Sequence, residues 1–496
     1  MYLPKKALGL SLLTLGLLGG CSKSYLELQP RNVLSTDQFY QTQSDAIQAT
    51  NSAYAQVRGA GLYGQSLWAM DIMADNSFLG GGGAADGIEF QQLDNYTIPS
   101  SNPVVTNLFQ RSYLGVGACN LVLARVPGIQ NIDATIQNRC LGEAAFLRAF
   151  YYFHLVRAFG DVPLIVAPAP DAASVTSLTR TAAATVYTQI EKDLLDAITK
   201  LPTSYSGEDI GRATKWSATA LLAKVYLTEG KMAEAATQAS TVISSSGKSL
   251  WTNYGDNFNL ATENGQESLF EVQYKSGLNQ YTLDGPGSAI NEFWGARFFG
   301  NPYVVSGGGY GFNIPELEFV QGYEAGDLRK AVTIFVPGDK YTDGPRDAQG
   351  NVQVQPAKLE GDPNGFNVRK YYAGTSSTIW DSPMNVPVLR LAEMYLILAE
   401  ANLATGKTGE GLTALNVVRK RAGLPNATTL TQAVVLKERR YELAFEMDRW
   451  YDLKRTKTLT NNSNLLAKGI KPFNDLLPIP QAERDVNPNL GQNPGY

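Results

Sequence analysis

Residues 143–164, EAAFLRAFYYFHLVRAFGDVPL, constrain the fold more than any other stretch of the chain. The run is apolar almost all round and stops at Gly160, ahead of Pro163. At about 100° per residue, Glu143, His154, Arg157 and Asp161 fall on one narrow polar stripe of a helix. A helix that is apolar on every other side must be covered by neighbours on most of its surface. Residues 143–160 are therefore expected to form a central helix. Arg148 breaks the pattern, because it projects on the apolar side among Leu141, Leu155 and Phe159. A guanidinium cannot shed its charge, so Arg148 is expected to be buried against carboxylate or carbonyl partners.

The remainder supplies helices to cover it. An apolar face of Phe39, Ala46, Ala49, Ala53 and Val57 predicts a first helix over residues 37–59, capped by Thr36 or Asp37. Residues 68–77 and 103–126 also read as helical, as do residues 185–201, which end at Pro202. Gly80 to Gly83 lack the Gly-Lys-Ser/Thr and the preceding strand of a phosphate loop, so a flexible surface loop is expected there. The clearest unit is residues 216–244. Ala220, Ala223 and Tyr226 lie on one helix, Gly230 and Lys231 turn, and Ala235, Ala236, Ala239 and Val242 lie on the next. Small residues at these spacings let two antiparallel helices approach closely, which is the tetratricopeptide pattern. It recurs over residues 391–423, with Gly406 and Lys407 at the turn and Ala414 and Val418 facing inward. Glu393 and Glu400 share one helix face there and are candidate partners for Arg148. Residues 432–454 predict a further helix.

Composition limits the function. A hydrophobic content of 44% over 496 residues supports two or three ordinary domains or one large one. The formal charge is −4, from 42 basic and 46 acidic residues, with no long run of either sign. That argues against nucleic acid as a partner, since a phosphate backbone calls for a basic stripe. The single histidine, His154, reads as a satisfied core or groove residue in the central helix. A lone His cannot build a His-rich zinc site, and it argues against a Ser-His-Asp triad. No cofactor or metal is expected. Cys119 and Cys140 fall on consecutive helices at similar distances from the turn near residues 127–133. A disulfide and two buried thiols fit that placement equally well.

The N-terminus reads as an address. Lys5 and Lys6 precede an apolar run over residues 7–18, followed by Gly19, Gly20 and Cys21. This pattern predicts a signal peptide over residues 1–20, because the run is too short to span a bilayer. The Leu-Gly-Gly-Cys ending resembles a bacterial lipobox, which implies that Cys21 is lipidated and begins the mature chain. Two or three acyl chains at ~0.8 kcal/mol per buried CH₂ make a stable anchor. Residues 21–35 would be a lipidated tether and residues 36–496 a single domain.

Residues 250–388 lose helical periodicity and are rich in Gly, Pro, Asn and aromatics. Short strands are expected near residues 269–274 and a hairpin turn at DAQGNV, residues 347–352. A loop region of this length is functional or disordered, and its aromatic content argues against disorder. Aromatic side chains bind the apolar faces of sugar rings, while amides, carboxylates and Arg bind the polar rims. The densest such stretch is NEFWGARFFGNPYVVSGGGYGF, residues 291–312, and it offers Trp294, Arg297, Tyr303 and Tyr310 as ligand-binding candidates. Trp68, Asp75 and Asn76 form a second group, and Trp380 is a third. Against each stands the plain alternative that large loops pack on their own aromatics.

Several stretches resemble the SusD/RagB family of outer-membrane nutrient-uptake lipoproteins. They are the Glu-Ala start, FLRA, YY and GDVPL of the central helix, PVLRLAEMYLILAEA from Pro387, LNVVRKRAG from Leu415, ERRYELAFEMDRWYDLKR from Glu438 and LPIPQAERDVNPNLGQNPGY at the C-terminus. The resemblance implies a mainly α fold of four tetratricopeptide-like helix pairs with long irregular loop insertions. The loops would form the ligand-binding face. It also implies no catalysis, an oligosaccharide or oligopeptide ligand, a surface-facing position at the outer membrane, and a SusC-like TonB-dependent transporter as partner. A surface glycoside hydrolase would need two carboxylates at a set separation, and nothing singles out a pair among the 46 acidic residues. A tetratricopeptide scaffold that binds peptides through its repeats is the other alternative.

Overall fold

The computed structural model describes residues 39–278, 281–298, 309–342, 349–372 and 378–496. Cys21, the expected signal peptide and tether, Tyr303, and Asp347 and Ala348 of the expected hairpin turn lie outside the described residues. The body is a run of helices in which each packs on the next: α1 (Gln43–Arg58), α2 (Pro103–Arg125), α3 (Ala134–Phe159), α4 (Ala183–Lys200), α5 (Lys215–Glu229), α6 (Met232–Ser245), α7 (Leu391–Ala404) and α8 (Thr408–Arg421). α6 meets α7 directly although residues 246–390 separate them in sequence. The loop-rich insertion therefore leaves and returns at one seam of the helical body. α9 (Gln432–Glu442) packs against α7 and α8, and α10 (Arg449–Arg455) follows it.

The small residues do what their spacing predicts. In α5 and α6, Ala220, Ala223, Ala235, Ala239 and Val242 are buried between the helices. Gly230 closes α5 at φ +79°, a left-handed angle that only glycine adopts freely. The strands form three short antiparallel ladders: β1 (Ser77–Phe78) with β3 (Ile314–Pro315), β2 (Ser268–Val272) with β6 (Val386–Arg390), and β4 (Ile334–Phe335) with β5 (Asn367–Val368). The second ladder lies at the seam and ties the insertion to the start of α7.

α3 is the central helix, buried along nearly its whole length from Arg139 to Phe159. Asp133 caps it by accepting from the Thr135 and Ile136 amides at 2.8 and 3.1 Å. Arg148 is buried and each of its three side-chain nitrogens is bonded. Its Nε and Nη2 donate to both oxygens of Asp193, at 2.8 and 2.6 Å, and Nη1 donates to Asn120 Oδ1 and the Val166 carbonyl. The partner is thus Asp193 of α4, and neither Glu393 nor Glu400. Glu393 pairs with Lys224 and Arg439, and Glu400 accepts both arms of Arg455 at 2.7 and 2.8 Å. His154 is buried edge-on to Phe150, and burial pushes its imidazole well below the usual range, so it is neutral. Its Nε2 finds no partner among the described residues, so it is a core residue that is only half satisfied. Cys119 and Cys140 are both buried free thiols.

Three local expectations need correction. Among the described residues, the helix expected over residues 37–59 runs over Gln43–Arg58, where Thr42 and Asp45 form a reciprocal capping box, while the expected caps Thr36 and Asp37 lie outside the described residues. The segment after Trp68 is helical only over Ser66–Asp71 and then runs into β1. The helix expected over residues 432–454 is broken between α9 and α10, where Phe445 and Met447 take φ +60° and +63°. The break is made by tertiary contacts. It frees the Glu442 carbonyl to accept from Arg390 Nη2 at 3.1 Å and Tyr254 OH at 2.7 Å. It also swings Glu446 onto Arg390 Nε at 2.8 Å.

Candidate functional site

A cleft of about 760 Å³ opens between the insertion and the early segment that follows Ser66–Asp71. Arg297, Tyr310 and Trp380, drawn from two of the three candidate groups, line it together. Phe90, Phe293, Phe298 and Phe312 supply further rings, and Gln65, Asp86, Glu89 and Glu360 supply polar rims.

The aromatic wall is a ladder of four rings that begins in the core and ends in solvent. Trp68 is fully buried, donates Nε1–H to the Gly64 carbonyl at 2.9 Å and packs on Phe293 with centroids 4.4 Å apart. Phe293 stacks on Trp380 at 5.6 Å, and Trp380 stacks on Tyr281 at 4.4 Å with the planes 7° apart. Tyr281 is 65% exposed. Trp380 sits at φ +59°, a backbone angle costly for a bulky residue, by about 1–3 kcal/mol. Its neighbours hold it there. Ser382 and Ser288 exchange both backbone hydrogen bonds, at 2.8 and 3.0 Å, and Asp381 Oδ2 accepts from the Gly277 amide at 2.7 Å. A half-buried ring fixed by such a shell holds the exposed Tyr281 stacked on it without further ordering.

The opposite rim is knitted by Arg297. Its Nε donates to Glu360 Oε2 at 2.9 Å, and its Nη1 donates to Asp86 Oδ2. Asp86 also accepts from the Gly82 amide at 2.7 Å. The Gly80 to Gly83 stretch is thus packed, where a flexible loop was expected. A Cβ on Gly81 would lie 2.5 Å from the Tyr310 carbonyl, and one on Gly361 would lie 2.4 Å from the Gly81 carbonyl. Glycine is required here for close backbone approach, with no connection to phosphate.

The remaining candidates lie elsewhere. Trp294 is 1% exposed and packs between Tyr371 and Phe445, while its carbonyl accepts from Asn367 at 2.8 Å. It anchors the insertion and cannot offer a face to a ligand. Trp68 likewise acts from behind, as the base of the ladder. Asp75 and Asn76 are buried and committed to the scaffold. Asp75 takes both arms of Arg449 at 2.7 and 2.8 Å, and Asn76 Oδ1 accepts from Arg440 at 2.8 Å. Burial alone would raise the Asp75 carboxyl, but Arg449 and Arg440 hold it down at about 2. Tyr281 was missed by sequence reading. Its signal was available, an aromatic in a polar stretch, SGLNQYTLDGPG, with no apolar neighbour pattern to bury it. Among the described residues, no group of three His, Cys, Asp or Glu side chains is placed to hold a metal.

Helix pairs carrying a lateral, aromatic-walled cleft define a binding protein. The chain belongs to the SusD family: residues 245–496 match that family, and residues 24–227 match a second one described as "Starch-binding associating with outer membrane". Glycan-binding members of the SusD family are non-enzymatic. A SusD-like protein P2 of Formosa agariphila is 29% identical, over 96% of this chain and 97% of its own. Among solved structures, a "Laminarin binding SusD-like protein" is 30% identical with a TM-score of 0.80, covering 92% of this chain and 100% of that one. The surface glycan-binding protein A of Bacteroides thetaiotaomicron, in complex with laminarihexaose, shares the fold at a TM-score of 0.79 and 23% identity, over 91% of this chain and 99% of that one.

Proposed function

We propose that this protein captures an oligosaccharide or polysaccharide at the outer-membrane surface, anchored through Cys21, and delivers it to a SusC-like TonB-dependent transporter. The observation that carries the reading is the aromatic ladder, which runs from the core through half-buried Trp380, a wall of the cleft, to the exposed ring of Tyr281, beside acceptor-rich rims. Sugar rings need this combination of flat apolar faces and fixed polar partners. The name of the 30% identical structure, a laminarin-binding protein, supports a glycan as the ligand class.

Trp380→Ala removes the half-buried ring on which Tyr281 stacks. It should weaken polysaccharide retention in affinity gels at least tenfold, about 1.4 kcal/mol or more for a hot-spot aromatic. Alanine keeps a Cβ and therefore the positive-φ strain, so any fall in melting temperature reports only the packing lost against Phe293 and Tyr281. Unchanged retention would remove Trp380 from the site.

A lipid-anchored binding protein cannot move a solute through a membrane, so a channel must complete the task. Holding ligand at the mouth of a barrel makes release inward effectively intramolecular. Gentle detergent extraction followed by pull-down on this chain should recover a large β-barrel partner in stoichiometric amount. Recovery as a lone monomer, with uptake unaffected by deletion, would refute the partnership.

A further inference from the structure

Resting on the glycan reading above, we infer that the cleft takes uncharged glycans and turns away anionic ones such as uronate-rich or sulfated polysaccharides. The cleft is lined by three carboxylates, Asp86, Glu89 and Glu360, and by one guanidinium, Arg297. No other Lys or Arg lines it among the described residues. The sequence between Phe298 and Gly309 and that between Tyr372 and Thr378 hold no charged side chain, and residues 343–348 hold Asp343, Arg346 and Asp347, which together are net negative.

Arg297 is the residue that would recognise an anion, and its Nε and Nη1 are already engaged. It donates to Glu360 on one side and to Asp86 on the other. A sulfate or carboxylate that approaches Arg297 meets two carboxylates already held against the guanidinium, so the local charge it meets is net negative. The field at the rim is therefore net negative whether or not Arg297 is engaged. Low-dielectric aromatic walls strengthen that field, and it reaches about 8 Å into solvent at physiological salt. An uncharged sugar meets the same groups differently. Its hydroxyls donate to the carboxylate oxygens, which are acceptors only, and its ring faces lie on the outer rings, Tyr281 at the end of the ladder and Tyr310.

The test compares backbones that differ only in charge. Laminarin, starch, inulin and mannan are each paired with their carboxymethylated derivative, with alginate and a sulfated fucan added, and binding to the full chain is read by affinity gel and calorimetry at low and at 0.5 M salt. At low salt, at least one neutral polysaccharide should bind and its carboxymethyl derivative should bind at least tenfold more weakly. High salt should narrow that gap, because screening acts on charge and leaves bulk untouched. Glu89→Gln/Glu360→Gln should narrow it as well, with an unchanged melting temperature reporting an intact fold. Equal or tighter binding of an anionic polymer would overturn the charge inference and leave the glycan reading standing. A gap unmoved by salt and by the double variant would also overturn it, as steric exclusion. If no polysaccharide of either kind is retained, the glycan reading itself falls, and this inference with it.

Discussion

Glu442→Gln should destabilise the protein by about 3–5 kcal/mol, the cost of breaking a buried ion pair from one side. Glu442 is fully buried, and three guanidiniums converge on it. Arg390 Nη1 donates to Oε1 at 3.0 Å, Arg421 Nη2 donates to the same oxygen, and Arg329 Nη1 donates to Oε2 at 3.2 Å. Burial alone would raise its carboxyl, but Arg421, Arg390 and Arg329 hold it well below the usual carboxylate range. A glutamine of the same shape removes the charge and turns an N–H toward a guanidinium. Arg390 and Arg421 also share Glu267, at 2.8 and 3.1 Å, so the cluster joins the insertion, α8 and α9 in one place. Thermal and urea melts of the variant at neutral pH check this, and a melting temperature within a degree of wild type would refute it. The sign with pH follows. A carboxyl with a depressed folded pKa contributes stability above its unfolded pKa, near 4, and that contribution is lost as pH falls.

This cluster marks what was legible in the sequence and what was not. Helix existence was legible wherever a period reported burial. The all-round apolar run of α3 and the alanine and glycine spacings of α5 to α8 define elements without reference to anything distant. Pairings between elements were hidden. Arg148 announced that it needed a carboxylate, but Asp193 lies on a neighbouring helix, and no spacing rule links the two. The break after Glu442 was invisible for the same reason, because helix propensity there is overruled by Arg390 on another element. At the site, the segment was legible and the residues were not. Trp294 and Trp380 are alike in sequence, each an aromatic outside helical periodicity, and Trp68 opens a short stretch that reads as helical without showing which face is buried. What separates them is depth along the ladder, and depth is set by contacts with Phe293 and Tyr371 that no local pattern encodes.

Asp71→Asn should stabilise the protein at pH 8 by up to roughly 4 kcal/mol and change little at pH 4. Asp71 is 3% exposed and its Oδ2 accepts from Asn313 Nδ2 at 3.1 Å. Its Oδ1 and the Asn313 Oδ1 both lack a donor among the described residues. Protonated Asp71 supplies the one hydrogen that this pair of acceptors lacks, so acid and amide can satisfy each other. Burial pushes the carboxyl up to about 7, against the Asn313 hydrogen bond and the charges of Lys370 and Lys468, with Glu446 adding a small push upward. The unfolded value is near 4, so between about pH 4 and 7 the folded chain holds a proton that the unfolded chain has lost. Stability therefore falls as pH rises through that window. At about 1.4 kcal/mol per pKa unit, three units give the stated limit. Asparagine carries the missing donor at every pH and should remove the slope. Glu263 is also pushed up to about 7 by burial, so wild type titrates at both sites and only the difference between variant and wild type isolates Asp71. Asn313 follows Phe312, which lines the cleft, so the pair pins that wall to the early segment. Paired melts from pH 4 to pH 8 check the expectation. A stability difference independent of pH would show that Asp71 is ionised throughout and that its partner is something other than a shared proton.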